Sequence, residues 1–230
     1  MHESVDYFSN HALKLKFPWK LYHAPIIDAL RMEVARTPGL DVLNVGSGPF
    51  FELDRLPRDA RRYSICDIDE RALDVARALH GPRLHGARLV TSPDRLPYDD
   101  RSFDLVAAME VIEHLPDARQ WLREIVRVTR PNGRVFITTP NYGFSTLGVI
   151  ERTALEAVAR FQGFTRKDLH PNKMTARSLE VALEEAGLTD VSVRTIAFDW
   201  VLVATAQRAF QVPDDFNDLL PNDELDAWER

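Results

Sequence analysis

Residues 41–52, Asp-Val-Leu-Asn-Val-Gly-Ser-Gly-Pro-Phe-Phe-Glu, contain the first group with chemical potential. The apolar run Val42, Leu43, Val45 breaks at Gly46-Ser47-Gly48-Pro49, the pattern of a buried strand that passes through a glycine turn into a helix start. At such a junction backbone N–H groups lack partners, and glycines without Cβ let a ligand lie against the main chain. Asp67 lies 21 residues past Gly46, after a second strand-like run, Arg62 to Cys66. A doubly wound sheet places an acid at that point to receive the two hydroxyls of a ribose, which suits a carboxylate with its two acceptor oxygens. Asp69 reads as a helix cap. His114 is a further candidate, because an imidazole can take a proton near neutral pH and this one follows a fourth strand-like run. A structural role, bonding backbone and fixing the loop, suits His114 and its neighbour Glu113 equally.

The glycine pair is compatible with more than one ligand. A dinucleotide fingerprint, G-x-G-x-x-G, would need its third glycine at Phe51, which counts against a nicotinamide or flavin cofactor. The shorter G-x-G-x-G turn of S-adenosylmethionine (SAM) enzymes matches at Gly46 and Gly48, with Phe50 in the third place. A glycine pair can also simply close a strand.

The elements that must position these groups alternate between strand and helix patterns. A helix starting near Pro25 carries Ile26, Ile27, Leu30 and Val34 at helical spacing and ends near Pro38-Gly39. The chain before it, residues 1–20, is aromatic and basic; either the helix simply packs on the sheet edge, or residues 5–23 fold over the ligand and help to shape a substrate pocket. Glu70 to Leu79 reads as a helix capped by Asp69 and closed by Gly81. Strands are expected at 87–91, 105–109 and 134–141, with a helix at 117–129 that begins with Asp117 and Gln120 in capping-box spacing. An amphipathic helix within 145–161 carries Leu147, Ile150, Ala154, Val158 and Phe161 on one face. It is a sheet cover, a lid, a dimer contact or a membrane-docking face, the last disfavoured by both charge signs on its polar side. A helix at 176–186 begins after Thr175, and 190–196 with 200–206 form a closing strand pair.

Composition sets outer bounds. The 230 residues carry 45% hydrophobic side chains and one cysteine, Cys66, so no intrachain disulfide forms. No apolar run approaches the roughly 20 residues needed to span a bilayer, and no signal-peptide core is visible, so a cytoplasmic protein without an integral membrane segment is expected. The net charge of −6 comes entirely from residues 212–230, where seven acids face Arg230; the rest is balanced, without the basic footprint of a nucleic-acid binder. No set of acids and histidines has metal-ligand spacing, so no metal is expected.

Arg95 to Leu115, RLPYDDRSFDLVAAMEVIEHL, resembles the middle of class I SAM-dependent methyltransferases of the broad group containing the ubiquinone and menaquinone biosynthesis enzymes. These carry L-P-[FY]-x-[DE]-x-[ST]-F-D-x-[VI] followed by E-H-L. Pro131-Asn132-Gly133 and the strand to Asn141 resemble the group's P-[GN]-G turn and fifth strand, and the likeness covers roughly residues 40–142. It implies a Rossmann-like, doubly wound sheet of seven strands, mostly parallel with an antiparallel last strand, and helices on both faces. It implies N-terminal cap helices over 1–40, a SAM-binding domain over 41–211 with a helical insertion about 144–164, and an acidic tail over 212–230.

The same likeness implies that Gly46, Ser47 and Gly48 lie beside the methionine portion of SAM, Asp67 at the ribose and Ile68 at the adenine. Ser92, in the third-strand loop, would meet the adenine amino group, and Met109 and Glu110 would stand near the reactive methyl group or the amino acid carboxylate. Asn44 stands where an aspartate is common, and Asn44 and Ser92 can still hydrogen-bond without charge. Relatives often have a histidine before the last helix, which makes His170 a candidate base or substrate contact with Tyr142 and Asp168 as companions. The [ND]-P-P-[YF] motif of amino methyltransferases acting on nucleic acids or glutamine is missing, which favours a small or lipidic acceptor methylated on O, N or C. A homodimer is left open. The competing readings are a methyltransferase-like module without activity and, further back, a nicotinamide oxidoreductase.

Overall fold

A computed structural model describes residues 19–92, 94–143, 145–146 and 171–210. The N-terminal stretch before Trp19, the helix expected about 144–164, Asp168, His170 and the acidic tail lie outside the described residues.

Helix α1, Lys20–Ala35, begins about five residues before the expected start and contains Pro25. Pro25 has no N–H to give to the preceding turn. Bonds from the Tyr22 and His23 amides to the Trp19 carbonyl, each 3.0 Å, hold the first turn instead. The apolar face Ile26, Ile27, Leu30, Val34 is buried as its spacing requires.

Strands β1 (Asp41–Val45), β2 (Arg62–Asp67), β3 (Leu84–Leu89), β4 (Phe103–Met109), β5 (Thr129–Pro140), β6 (Leu188–Ile196) and β7 (Val201–Arg208) form one sheet in the order β3-β2-β1-β4-β5-β7-β6. The last strand in the chain, β7, is antiparallel to both of its neighbours, and the other pairings are parallel. Helices α2 (Glu70–His80), α3 (Ala118–Val128) and α4 (Ala176–Glu185) complete the layers. Asp69, Asp117 and Thr175 cap these three through the amides of Arg71, Gln120 and Ser178. The sheet is therefore the doubly wound arrangement that the alternating elements imply. β3 starts earlier than the apolar pattern suggests, and β5 runs back through Pro131-Asn132-Gly133, where Asn132 takes a positive φ of 62° and the pairing with β4 shifts register.

Period-two alternation divides the core between the two faces of the sheet. Val42, Leu105 and Ala107 pack with α1, α2, Phe50 and Leu53 on one side. Leu43, Val45, Val106 and Ala108 pack with α3 and α4 on the other. At the amino end of β1, Asp41 is 1% exposed and accepts from Arg61, Arg62 and Arg130. The Arg62 guanidinium above all, against the opposing effect of burial, holds this carboxyl well below the usual range. At the opposite, carboxyl edge, the connections from β1 and β4 leave in opposite directions along the sheet. In open α/β sheets that crevice receives the ligand.

Candidate active site

The turn after β1 alternates positive-φ residues: Gly46 at 65°, Gly48 at 55° and Phe50 at 54°. A Cβ on Gly46 would stand 2.5 Å from a Val111 methyl carbon, so that position excludes a side chain on two grounds. Phe50 keeps the left-handed backbone that a third glycine would supply, at a cost. Its ring is 1% exposed and lies edge-on to Tyr63 and His80, pointing into the α1–α2 side of the core. His80 Nε2 lies 3.3 Å from the Pro49 carbonyl oxygen and pins the turn from below. A residue other than glycine thus takes the positive φ at the third place of the turn.

The Asp67 carboxylate faces that turn. Its Oδ2 accepts from the Gly48 amide at 2.7 Å and its Oδ1 from the Asp69 amide at 2.9 Å. Each oxygen keeps lone-pair capacity for a further donor, so the residue remains able to receive a diol. The Gly46 amide bonds the Cys66 carbonyl at 2.8 Å, which fixes the first strand's exit to the second's.

A cavity of about 10 Å³ opens at the tips of β1 and β4, lined by His23, Ile26, Ile27, Gly46, Ser47, Glu52, Met109 and Glu110. Glu110 (φ 58°) receives the Tyr22 hydroxyl at 2.6 Å and the Thr138 hydroxyl at 2.9 Å, so α1 is tied across the sheet edge. Tyr22 and His23 therefore stand at the tips of β1 and β4. A wider hollow of about 300 Å³ lies along the loop after β3, lined by Thr91, Ser92, Arg95, Leu96, Pro97, Tyr98 and Asp99. Asp67 sits on β2, between the strands that carry these two sites.

The candidates from sequence separate into groups. Gly46, Ser47, Met109 and Glu110 meet at the first cavity, Gly48 and Asp67 bond each other beside it, and Ser92 lines the second hollow. Ile68 is 80% exposed next to Asp67, an apolar side chain open to a flat ligand. Asn44 is 1% exposed within β1, and neither its amide oxygen nor its nitrogen has a partner. His114 is not among the residues lining either space. Its Nε2 lies 3.9 Å from Glu113 Oε1, and the buried Glu113 receives the Thr139 hydroxyl while its carbonyl receives the Asn172 amide. Glu113 thus ties the β4 exit to β5 and to the segment before α4. His170, the other candidate base, lies outside the described residues.

Glu52 carries no signal in the sequence, since a single acid in Phe-Phe-Glu-Leu has no spacing that marks it. It lies in a 3₁₀ turn, Phe51–Arg55, is 6% exposed and lines the first cavity. Among the described residues it has no hydrogen-bond or ion-pair partner. The cavity lining thus holds two carboxylates and a histidine, with neither lysine nor arginine. The edge presents Glu52 and Glu110 at one end, the Asp67 carboxylate in the middle and the hollow after β3 at the other.

Residues 43–137 match a family model described as a methyltransferase domain. A protein of Mycolicibacterium smegmatis described as a probable S-adenosylmethionine-dependent methyltransferase is 38% identical over 109 residues, covering 46% of this chain and 40% of that protein. The chain thus spans less than half the length of that relative. A ubiquinone biosynthesis O-methyltransferase of Pseudomonas aeruginosa is 29% identical over 160 residues, covering 66% of this chain and 68% of its own. Among solved structures, the 4+2 cyclase SpnF superposes with a TM-score of 0.64 at 16% identity over 85% of each chain, a likeness of fold. No helix among the described residues is long and apolar enough to cross a membrane, and none of their acids, histidines and cysteines cluster as a metal site.

Proposed function

We propose that this chain, whose residues 43–137 match a family model described as a methyltransferase domain, is a SAM-dependent methyltransferase that acts on an O, N or C nucleophile of a small or lipidic metabolite. The observation that carries the reading is the 2.7 Å bond between the Gly48 amide and Asp67 Oδ2. It sets a glycine turn and a diol-accepting carboxylate side by side at the carboxyl edge, the spacing that a nucleoside requires. Gly46, Ser47, Glu52 and Glu110 fit the amino acid end of the cofactor, Asp67 its ribose, and Ile68 and Ser92 its base. Bound there, SAM supplies an electrophilic methyl group on a sulfonium.

The chain's own part is alignment and exclusion of water. α1 covers the crevice through the Tyr22–Glu110 bond, Met109 lends an apolar wall, and the buried turn holds its amides in place before a ligand arrives. His170 or His114 would serve as a base where the nucleophile carries a proton. The absence of [ND]-P-P-[YF] after β4 supports a small acceptor, and likeness to an enzyme of ubiquinone biosynthesis supports a lipidic one. Calorimetric titration with SAM, S-adenosylhomocysteine (SAH) and NADH tests the proposal. Binding of the first two, absent for NADH and weakened about tenfold or more by Asp67→Ala, is expected.

A second reading, a binding module that has lost the chemistry, draws on Asn44, Phe50 and Ser92 at places where the family favours other residues. It is favoured if neither SAM nor SAH binds at millimolar concentration.

A further inference from the structure

Glu52 poses a question that the proposed reaction does not answer. Glu52 is an acid that is only 6% exposed, and no described residue offers it a hydrogen bond or a charge. Burial of this kind is costly unless a cation completes the site. The space in front of it is about 10 Å³, the room for one water-sized group, and a second carboxylate, Glu110, lines the same space. Glu110 is already engaged by Tyr22 and Thr138, which leaves Glu52 as the open acceptor of the pair.

We infer that Glu52 receives the α-ammonium group of the cofactor. The inference rests on the SAM reading above and adds a residue to it. A primary ammonium is the cation that matches the space, because it is about the size of a water and carries three N–H donors. A sulfonium has its charge enclosed by three carbons and no donor to give. Gly46 and Ser47, which border the same cavity, place it at the end of the crevice where the turn would hold the amino acid portion. Glu52 is therefore a binding residue that acts on affinity.

The test uses the full chain, its Glu52→Gln variant and three ligands, SAM, SAH and 5′-methylthioadenosine, the last lacking the amino acid portion. Glu52→Gln should weaken SAM and SAH about tenfold or more, the scale of a lost hydrogen bond to charge, and leave 5′-methylthioadenosine within about twofold. The unliganded variant should melt at or above the wild-type temperature, since an uncompensated charge has been removed, while its gain on adding SAH shrinks. Unchanged SAH affinity overturns the inference, as does an equal loss for 5′-methylthioadenosine or a variant that melts below wild type. Retained cofactor affinity with a fall in kcat would place Glu52 at the acceptor instead and also overturns it. A wild-type chain that binds none of the three ligands removes the SAM reading itself. A wild-type chain that binds, with a variant unaffected, removes only the role of Glu52.

Discussion

Replacing Phe50 by alanine and by glycine should reverse the usual order of those two residues. Phe50 sits at φ 54° and ψ 43°, a conformation that costs an L-residue about 1–2 kcal/mol and glycine almost nothing. Its ring is 1% exposed and packs on Tyr63 at 6.4 Å and His80 at 6.3 Å between ring centres. Phe50→Ala keeps the backbone cost and loses the ring, for a loss of about 3–5 kcal/mol. Phe50→Gly loses the same ring but removes the strain, and after the greater freedom of glycine in the unfolded chain is counted it should be the more stable of the two by about 1 kcal/mol. For a chain of this size about 2–4 °C of melting temperature corresponds to each kcal/mol. The alanine variant should therefore melt roughly 6–20 °C below wild type and the glycine variant a few degrees above the alanine one. Thermal melts followed by circular dichroism, with urea unfolding at 25 °C, read the difference directly. An alanine variant as stable as the glycine one, or more so, would refute the claim that this turn holds Phe50 in a strained backbone for the sake of its buried ring.

Asp41→Asn should cost about 3 kcal/mol at neutral pH, because it leaves three arginines facing a side chain without charge. Since the folded carboxyl titrates below its unfolded value, the stability it contributes is present above about pH 4 and is lost as pH falls toward the folded value. The gap between wild type and variant should hold from pH 5 to 8 and narrow by about 2 kcal/mol between pH 4 and 2.5; a constant gap in urea unfolding at pH 2.5 would count against it. Asn44→Val removes two unpartnered polar atoms from a 1% exposed position and should raise stability by about 1–3 kcal/mol. Calorimetry with SAH on the same variant decides its role: weaker binding keeps Asn44 in the cofactor set, and unchanged affinity removes it.

The chain's order of elements was legible in the sequence because the signals are local. Period-two apolar runs, Asp69, Asp117 and Thr175 as caps and Gly81 as a stop each act within a few residues, and the structure follows them. Helix α1 was placed late because Pro25 is a strong local signal for a first turn, whereas burial of Ile26, Ile27 and Leu30 against the sheet tolerates a proline further in. The Gly46–Gly48 turn and Asp67 could be paired from spacing, since one crossover in a doubly wound sheet fixes their separation. Only the folded chain decided which way Phe50 points, that Glu113 bonds Thr139 and Asn172, and that Tyr22 reaches Glu110 across 88 residues of sequence. Glu52 shows the reason most plainly. Nothing in its type or its neighbours along the chain marks it, and it comes to line a cavity, at 6% exposure, only because α1, brought from earlier in the chain, supplies Ile26 and Ile27 to the same lining.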